Sequence, residues 1–152
     1  MKVAAVQFVS GGEIDANLSR AKELISTAAG EGAKLIVLPE ATAQSFASGR
    51  LDSQAQELDG DFASQLKAHA ESLGVTVVAG MFRPADTVDK DGKTINRVYN
   101  TALITGPGVH LGYNKIHTYD AFNYRESDTV KPGNELVTFE LEGLTVGVAV
   151  CY

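Results

Sequence analysis

Apolar and polar positions alternate along the chain in two periods. Residues 2–9 form a short valine-rich apolar run ended by Gly11 and Gly12, and residues 35–38 form a second apolar run ended by Pro39. Both read as buried strands. Between them Leu18, Ala21, Leu24, Ile25 and Ala28 follow the helical period, with Asp15 placed as an N-cap and Gly30 and Gly32 as stop signals. A second helix is expected over residues 61–73, with Phe62, Leu66, Ala70 and Leu73 on one face and Gly74 as its stop.

Residues 75–82 read as a third strand, and residues 86–92 as a polar turn. Strands are expected over 96–104 and 109–114, joined by the turn Thr105-Gly106-Pro107-Gly108. Residues 118–133 are polar with scattered aromatics and read as a loop. Residues 136–141 and 144–150 form a last hairpin around Glu142-Gly143. A β-α-β-α-β opening followed by strand pairs predicts a layered α/β domain with a mixed sheet.

Length and composition narrow this picture. The 152 residues suit one domain over 1–152, and 44% hydrophobic residues are enough for a sizeable core. The formal net charge of −6, with no basic run, gives no electrostatic help toward nucleic acid or an anionic membrane. No apolar stretch approaches the ~20 residues a membrane helix needs. The opening apolar run leads into Ser10-Gly11-Gly12-Glu13 rather than a cleavage site, so a cytoplasmic location is expected. A single cysteine, Cys151, excludes an internal disulfide and a cysteine-cluster zinc site.

The candidate chemistry sits at strand ends, where open α/β sheets bind ligands. Glu40 follows the second expected strand, Lys115 the strand over 109–114, and Cys151 the last strand. If these strands lie side by side and run the same way, a carboxylate, an ammonium and a thiol converge on one edge. A thiol attacks as thiolate, which a neighbouring cation favours. A carboxylate can take the thiol proton and hand one to a leaving amine. The ammonium, with the backbone N–H of Tyr152, can stabilise the oxyanion of a tetrahedral intermediate. By position alone each residue also has a bland reading: Cys151 as core packing, Glu40 as a surface turn, Lys115 as a solvated strand end.

Other patterns carry less. His110 and His117, with Asp120 nearby, suit no familiar ligand set, and no metal or cofactor is expected. His117 is expected to order the loop beside Lys115 through a hydrogen bond, and His69 to be solvated. Asp89-Lys90-Asp91-Gly92 resembles part of a calcium loop, but Thr87 and Val98 stand where its first and last carboxylates belong.

At the trio the sequence resembles the nitrilase superfamily, the carbon–nitrogen hydrolases. Leu38-Pro39-Glu40 resembles the family's glutamate signature, Tyr113-Asn114-Lys115-Ile116-His117 its lysine signature, and residues 147–152 the approach to its nucleophile. Val3-Ala4-Ala5-Val6-Gln7 resembles its opening strand, and Tyr99-Asn100-Thr101-Ala102 the strand before the lysine hairpin. Tyr124-Arg125-Glu126-Ser127, with Lys131-Pro132-Gly133, resembles the loop that brings in a second glutamate.

The resemblance implies an α-β-β-α sandwich, of which this sequence is the first half. It implies Glu40 as general base and acid, Lys115 as oxyanion stabiliser, Cys151 as the residue that forms a thioester, and Glu126 as an auxiliary acid orienting Lys115 or the substrate. It implies a small amide substrate of the kind taken by the omega-amidase and deaminated-glutathione amidase branch, and a homodimer or larger homo-oligomer. Nitrile or carbamoyl-amine hydrolysis by the same trio, and a catalytically silent α/β scaffold, are the alternatives. The family's Asp and Arg after the Cys-Tyr pair are absent here, so a longer polypeptide is expected.

Overall fold

The computed structural model describes residues 1–151. Strands β1 (Val3–Ala5), β2 (Leu35–Val37) and β3 (Thr76–Lys90) are parallel neighbours. Parallel pairing needs long crossovers, which helices α1 (Ile14–Gly30) and α2 (Asp61–Leu73) supply. β4 (Lys93–Gly106) and β5 (Val109–Asn114) then return by hairpins, giving the order β1-β2-β3-β4-β5. β4 runs antiparallel to β3, and β5 antiparallel to β4. β5 therefore points the same way as β2, and the ends of both lie on one edge of the sheet.

The strand period of two assigns the faces. On one face Ile36, Val77, Ala79, Met81 and Leu103 join Leu18, Ile25, Phe62 and Leu66 of the helices in the larger core. On the other face Leu35, Ala102, Ile104 and Tyr113 pack with Phe139. Phe139 belongs to the separate hairpin of β8 (Val137–Leu141) and β9 (Leu144–Val148). Helices, sheet and hairpin thus form α, β and β layers. Between β5 and β8 lie β6 (Asp120–Ala121), β7 (Tyr124–Arg125) and a 3-10 turn, Glu126–Asp128. Among the described residues no helix is long and apolar enough to cross a membrane.

Three local expectations change. Asp15 lies in the first turn of α1, and Glu13 is the capping position, with no side-chain cap. Asp15 therefore acts on the helix dipole rather than as a cap. The first strand stops at Ala5, because the following segment is diverted toward another loop. Asn17 holds it there: its side chain accepts from Gly11 N and donates to Gly11 O and Ala43 O at 2.8–3.0 Å. The polar turn over 86–92 is mostly strand. β3 and β4 project as a long ribbon closed by Asp91 (φ 52°) and Gly92 (φ 72°), the two-residue turn that Asp-Gly favours.

Gly80 of β3 explains how closely the loop after β2 is seated. A Cβ there would stand 2.3 Å from Ala41 N and 2.8 Å from the Glu40 carbonyl carbon. Those are backbone atoms that cannot rotate away. Gly80→Ala is expected to destabilise the chain by about 1–3 kcal/mol, the usual cost of overpacking. A urea midpoint equal to that of the unsubstituted chain would contradict this packing account.

Candidate active site

Glu40 stands where the backbone turns sharply away from β2. Pro39 O accepts from Gly80 N at 3.2 Å and from Thr42 Oγ1 at 2.6 Å, and Ala41 takes a left-handed φ of 60°. Lys115 follows the last residue of β5. Its N–H donates to Asn100 O at 2.8 Å, and its carbonyl accepts from Gly133 N at 2.8 Å. Glu126 opens the 3-10 turn; its N–H donates to Tyr119 O, and its carbonyl accepts from Thr129 N and Val130 N. Val98 N–H donates to Thr129 O at 2.9 Å and Lys131 N–H to Val98 O at 2.8 Å, and these bonds fold the polar segment between β5 and β8 back against β4.

The three charged side chains meet. Lys115 Nζ lies 3.1 Å from Glu40 Oε1, 3.2 Å from Glu126 Oε1 and 2.9 Å from Glu126 Oε2. The Lys115 and Glu126 side chains are each 3% exposed, whereas that of Glu40 is 32% exposed. Burial pushes the Lys115 pKa down, but the hydrogen bonds it donates to Glu126 and then Glu40 outweigh it, and the net shift is upward. The side chain therefore stays an ammonium at neutral pH. Glu126 Oε2 also accepts from Tyr119 N at 2.6 Å. Every oxygen of the buried carboxylate has a donor, as a buried charge requires.

Cys151 reaches this cluster from another direction. It follows β9, in the hairpin rather than in the five-stranded sheet, and β3 and β4 separate β2 from β5. The expected side-by-side strands are thus replaced by two layers whose ends converge. Cys151 is exposed, has a left-handed φ of 61°, and shares with Glu40, Lys115 and Glu126 a cavity of about 390 Å³. Phe46, Tyr119 and Tyr124 complete its wall. Left-handed non-glycine residues cluster at functional sites. Tyr152, expected to donate its N–H to an oxyanion, lies outside the described residues.

The sequence alone assigns Asn100 no chemistry, yet it touches all three charged residues. Its carbonyl holds Lys115 N, and its Nδ2 donates to Glu40 Oε1 at 2.6 Å and Glu126 Oε1 at 3.3 Å. Asn100 is 1% exposed, and its Oδ1 is buried with no partner among the described residues. Such an atom costs about 1–3 kcal/mol. The sequence does hold a signal: Asn100 shares its strand face with buried Val98, Ala102 and Ile104, where an amide is out of place.

Two histidines depart from expectation. His117 is exposed and makes no side-chain hydrogen bond among the described residues, so the Tyr119 N–H orders this loop instead. His69 is half-buried, with Nε2 at 3.0 Å from Ser26 Oγ and 3.1 Å from Lys22 O, and ties α2 to α1. Among the described residues no group of three or more His, Cys, Asp or Glu side chains could hold a metal ion.

Comparison with known proteins agrees with this architecture. The family model described as carbon-nitrogen hydrolase matches residues 2–152. A hydrolase of Mycobacterium tuberculosis is 40% identical over 100% of this chain and 52% of its own length. An omega-amidase of Danio rerio is 34% identical over 90% of this chain and 49% of its own. Among solved structures, Saccharomyces cerevisiae Nit3, a nitrilase-superfamily member, superposes with a TM-score of 0.76 at 27% identity, over 100% of this chain and 55% of that one. A CN-hydrolase superfamily protein from Xanthomonas campestris gives a TM-score of 0.78 at 23% identity, over 99% of this chain and 52% of its own, a likeness of fold. The chain spans about half the length of the curated relatives it matches.

The buried ion cluster generates a stability prediction. Lys115→Met leaves the Glu126 carboxylate buried without its cation, and the expected cost is about 3–5 kcal/mol. The Lys115 pKa is raised above its ordinary value of 10.5, so the ammonium's contribution is complete below that value. It is lost as pH rises through the higher native value. Urea titrations from pH 8 to 11.5 should show an alkaline loss of stability that is smaller in Lys115→Met. Equal alkaline slopes in the two chains would contradict the assignment.

Proposed function

Because the chain belongs to the carbon–nitrogen hydrolase family, we propose that it carries the reacting groups of an amide hydrolase that works through a thioester on Cys151. The observation that carries this reading is the shared cavity: Cys151, Glu40 and Lys115 arrive from three separate strand ends and line one space. A structural thiol has no need of that company.

Each residue has a role that follows from its setting. Glu40, the more exposed carboxylate, takes the Cys151 Sγ proton as the sulfur attacks the amide carbonyl carbon. The carbonyl oxygen becomes an oxyanion beside the Lys115 ammonium. Among the described residues the three Lys115 Nζ contacts go to carboxylate oxygens, so Lys115 acts on the oxyanion as a fixed charge that needs no reorganisation. Glu40 then protonates the leaving nitrogen, ammonia departs, and the acyl group remains as a thioester. Glu40 next removes a proton from water as its oxygen attacks the thioester. The carboxylic acid leaves, and the proton returns to Sγ. Glu126 holds Lys115 in place.

The omega-amidase among the relatives supports a small amide whose acyl part carries a carboxylate, such as the monoamide of a short dicarboxylic acid. The reading also includes a cytoplasmic enzyme assembled from two or more copies. Nitrile or carbamoyl-amine hydrolysis by the same trio is separated by substrate, and a silent scaffold by the lack of any turnover.

The test is ammonia release from succinamate, with hydroxylamine added to intercept the acyl group as a hydroxamate. The native chain should release ammonia and form hydroxamate, and Cys151→Ala should lose about 10,000-fold or more of the rate with its fold intact. Undiminished turnover in Cys151→Ala would refute the nucleophile assignment. Ammonia release without hydroxamate would count against the thioester.

A further inference from the structure

Glu40 has two oxygens, and the structure treats them differently. Oε1 accepts from Asn100 Nδ2 at 2.6 Å and from Lys115 Nζ at 3.1 Å. Oε2 has no hydrogen-bond partner among the described residues, and the carboxylate lines the cavity that holds Cys151. A carboxylate used for proton transfer must present one oxygen to the reacting atoms repeatedly, in one orientation. A lysine alone does not select that oxygen, because an ammonium is a point charge on a flexible stem. A planar amide on a strand does.

Asn100 is built for that task at a cost to itself. It is fixed in the middle of β4, where it pairs with Phe82 of β3, so its side chain has little freedom. Turning the amide over would aim Oδ1 at the Glu40 and Glu126 carboxylates. The observed orientation instead aims Nδ2 at both and leaves Oδ1 buried without a partner among the described residues. Native structures rarely leave such an atom unpaired, and an asparagine that served only packing would satisfy both ends.

We propose that Asn100 is a positioning residue that grips Glu40 by Oε1 and so makes Oε2 the oxygen that moves the proton to and from Cys151. By holding Glu126 with the same Nδ2 and Lys115 by its backbone carbonyl, it sets the relative places of all three charged groups. The inference rests on the amide-hydrolase reading and adds to it a residue that acts through Glu40.

The experiment compares Asn100→Ala and Asn100→Asp with the native chain on succinamate. Loss of a hydrogen bond to a charged group corresponds to about a 10- to 100-fold fall in kcat, with KM changed by less than about threefold. Asn100→Asp adds a signature that disrupted packing would not give. Its new carboxyl faces Glu40, Glu126 and Lys115, and two like charges favour its protonated form. Once protonated, it again offers Glu40 a donor. The activity of Asn100→Asp relative to the native chain should therefore rise as pH falls from 8 to 5.

Native kcat in both variants, or a raised KM with kcat unchanged, would overturn the proposal. A native chain without amidase activity would fail the functional reading instead, and the side-chain amide spectrum then decides for Asn100. In ¹H–¹⁵N NMR one Asn100 Nδ2 proton should be shifted downfield and should move in Glu40→Gln. An ordinary resonance indifferent to Glu40→Gln would show that Asn100 does not hold Glu40.

Discussion

A lysine ammonium shut away from water must find its solvation inside the protein. Lys115 is 3% exposed, and its solvation comes from the carboxylates of Glu40 and Glu126. That requirement organises much of the rest. Two carboxylates around one ammonium leave an excess negative charge, which neutral donors must share. The Tyr119 N–H and the Asn100 amide supply them. The loop carrying Glu126 is bonded back onto β4 through Val98 and Lys131, which brings its carboxylate to the lysine.

The topology meets this requirement with few parts. β2 and β5 point the same way because β4 returns antiparallel between β3 and β5, so Glu40 and Lys115 emerge on one edge although two strands separate them. The returning strand places Asn100 at the level of those ends, between the groups it bonds. Gly80, without a side chain, lets the Glu40 turn lie directly on β3. The hairpin of β8 and β9 covers the second face and delivers Cys151 into the same cavity. Charge, backbone clearance and strand direction act on one place.

Much of this was legible in the residues. The helix over Asp61–Leu73 and the strand over Val109–Asn114 follow from clear periodicity and glycine punctuation, and the structure repeats both bounds. The layered α/β class followed from element order. The tip of the ribbon, residues 85–95, was not legible, because none of its residues is buried and alternation has no core to record. The meeting of Glu40, Lys115 and Glu126 was anticipated by resemblance to the nitrilase superfamily. The arrival of Cys151 from a second layer was not, since strand pattern alone does not say which sheet a strand joins. Asn100 reads in the sequence only as part of one more buried strand, because its contacts to the charged groups are distant in sequence.

Under the proposed function the buried ion cluster and Cys151 form one reactive centre. Cys151 is the chain's single thiol, so its alkylation by iodoacetamide can be followed without interference. At pH 7 the native chain should be alkylated faster than the same chain unfolded in urea, after correction for the reagent's rate with a free thiol in urea. That advantage should disappear in Glu40→Gln. Native alkylation no faster than unfolded, or an advantage untouched by Glu40→Gln, would show that the thiol and the charged cluster are neighbours without being a site.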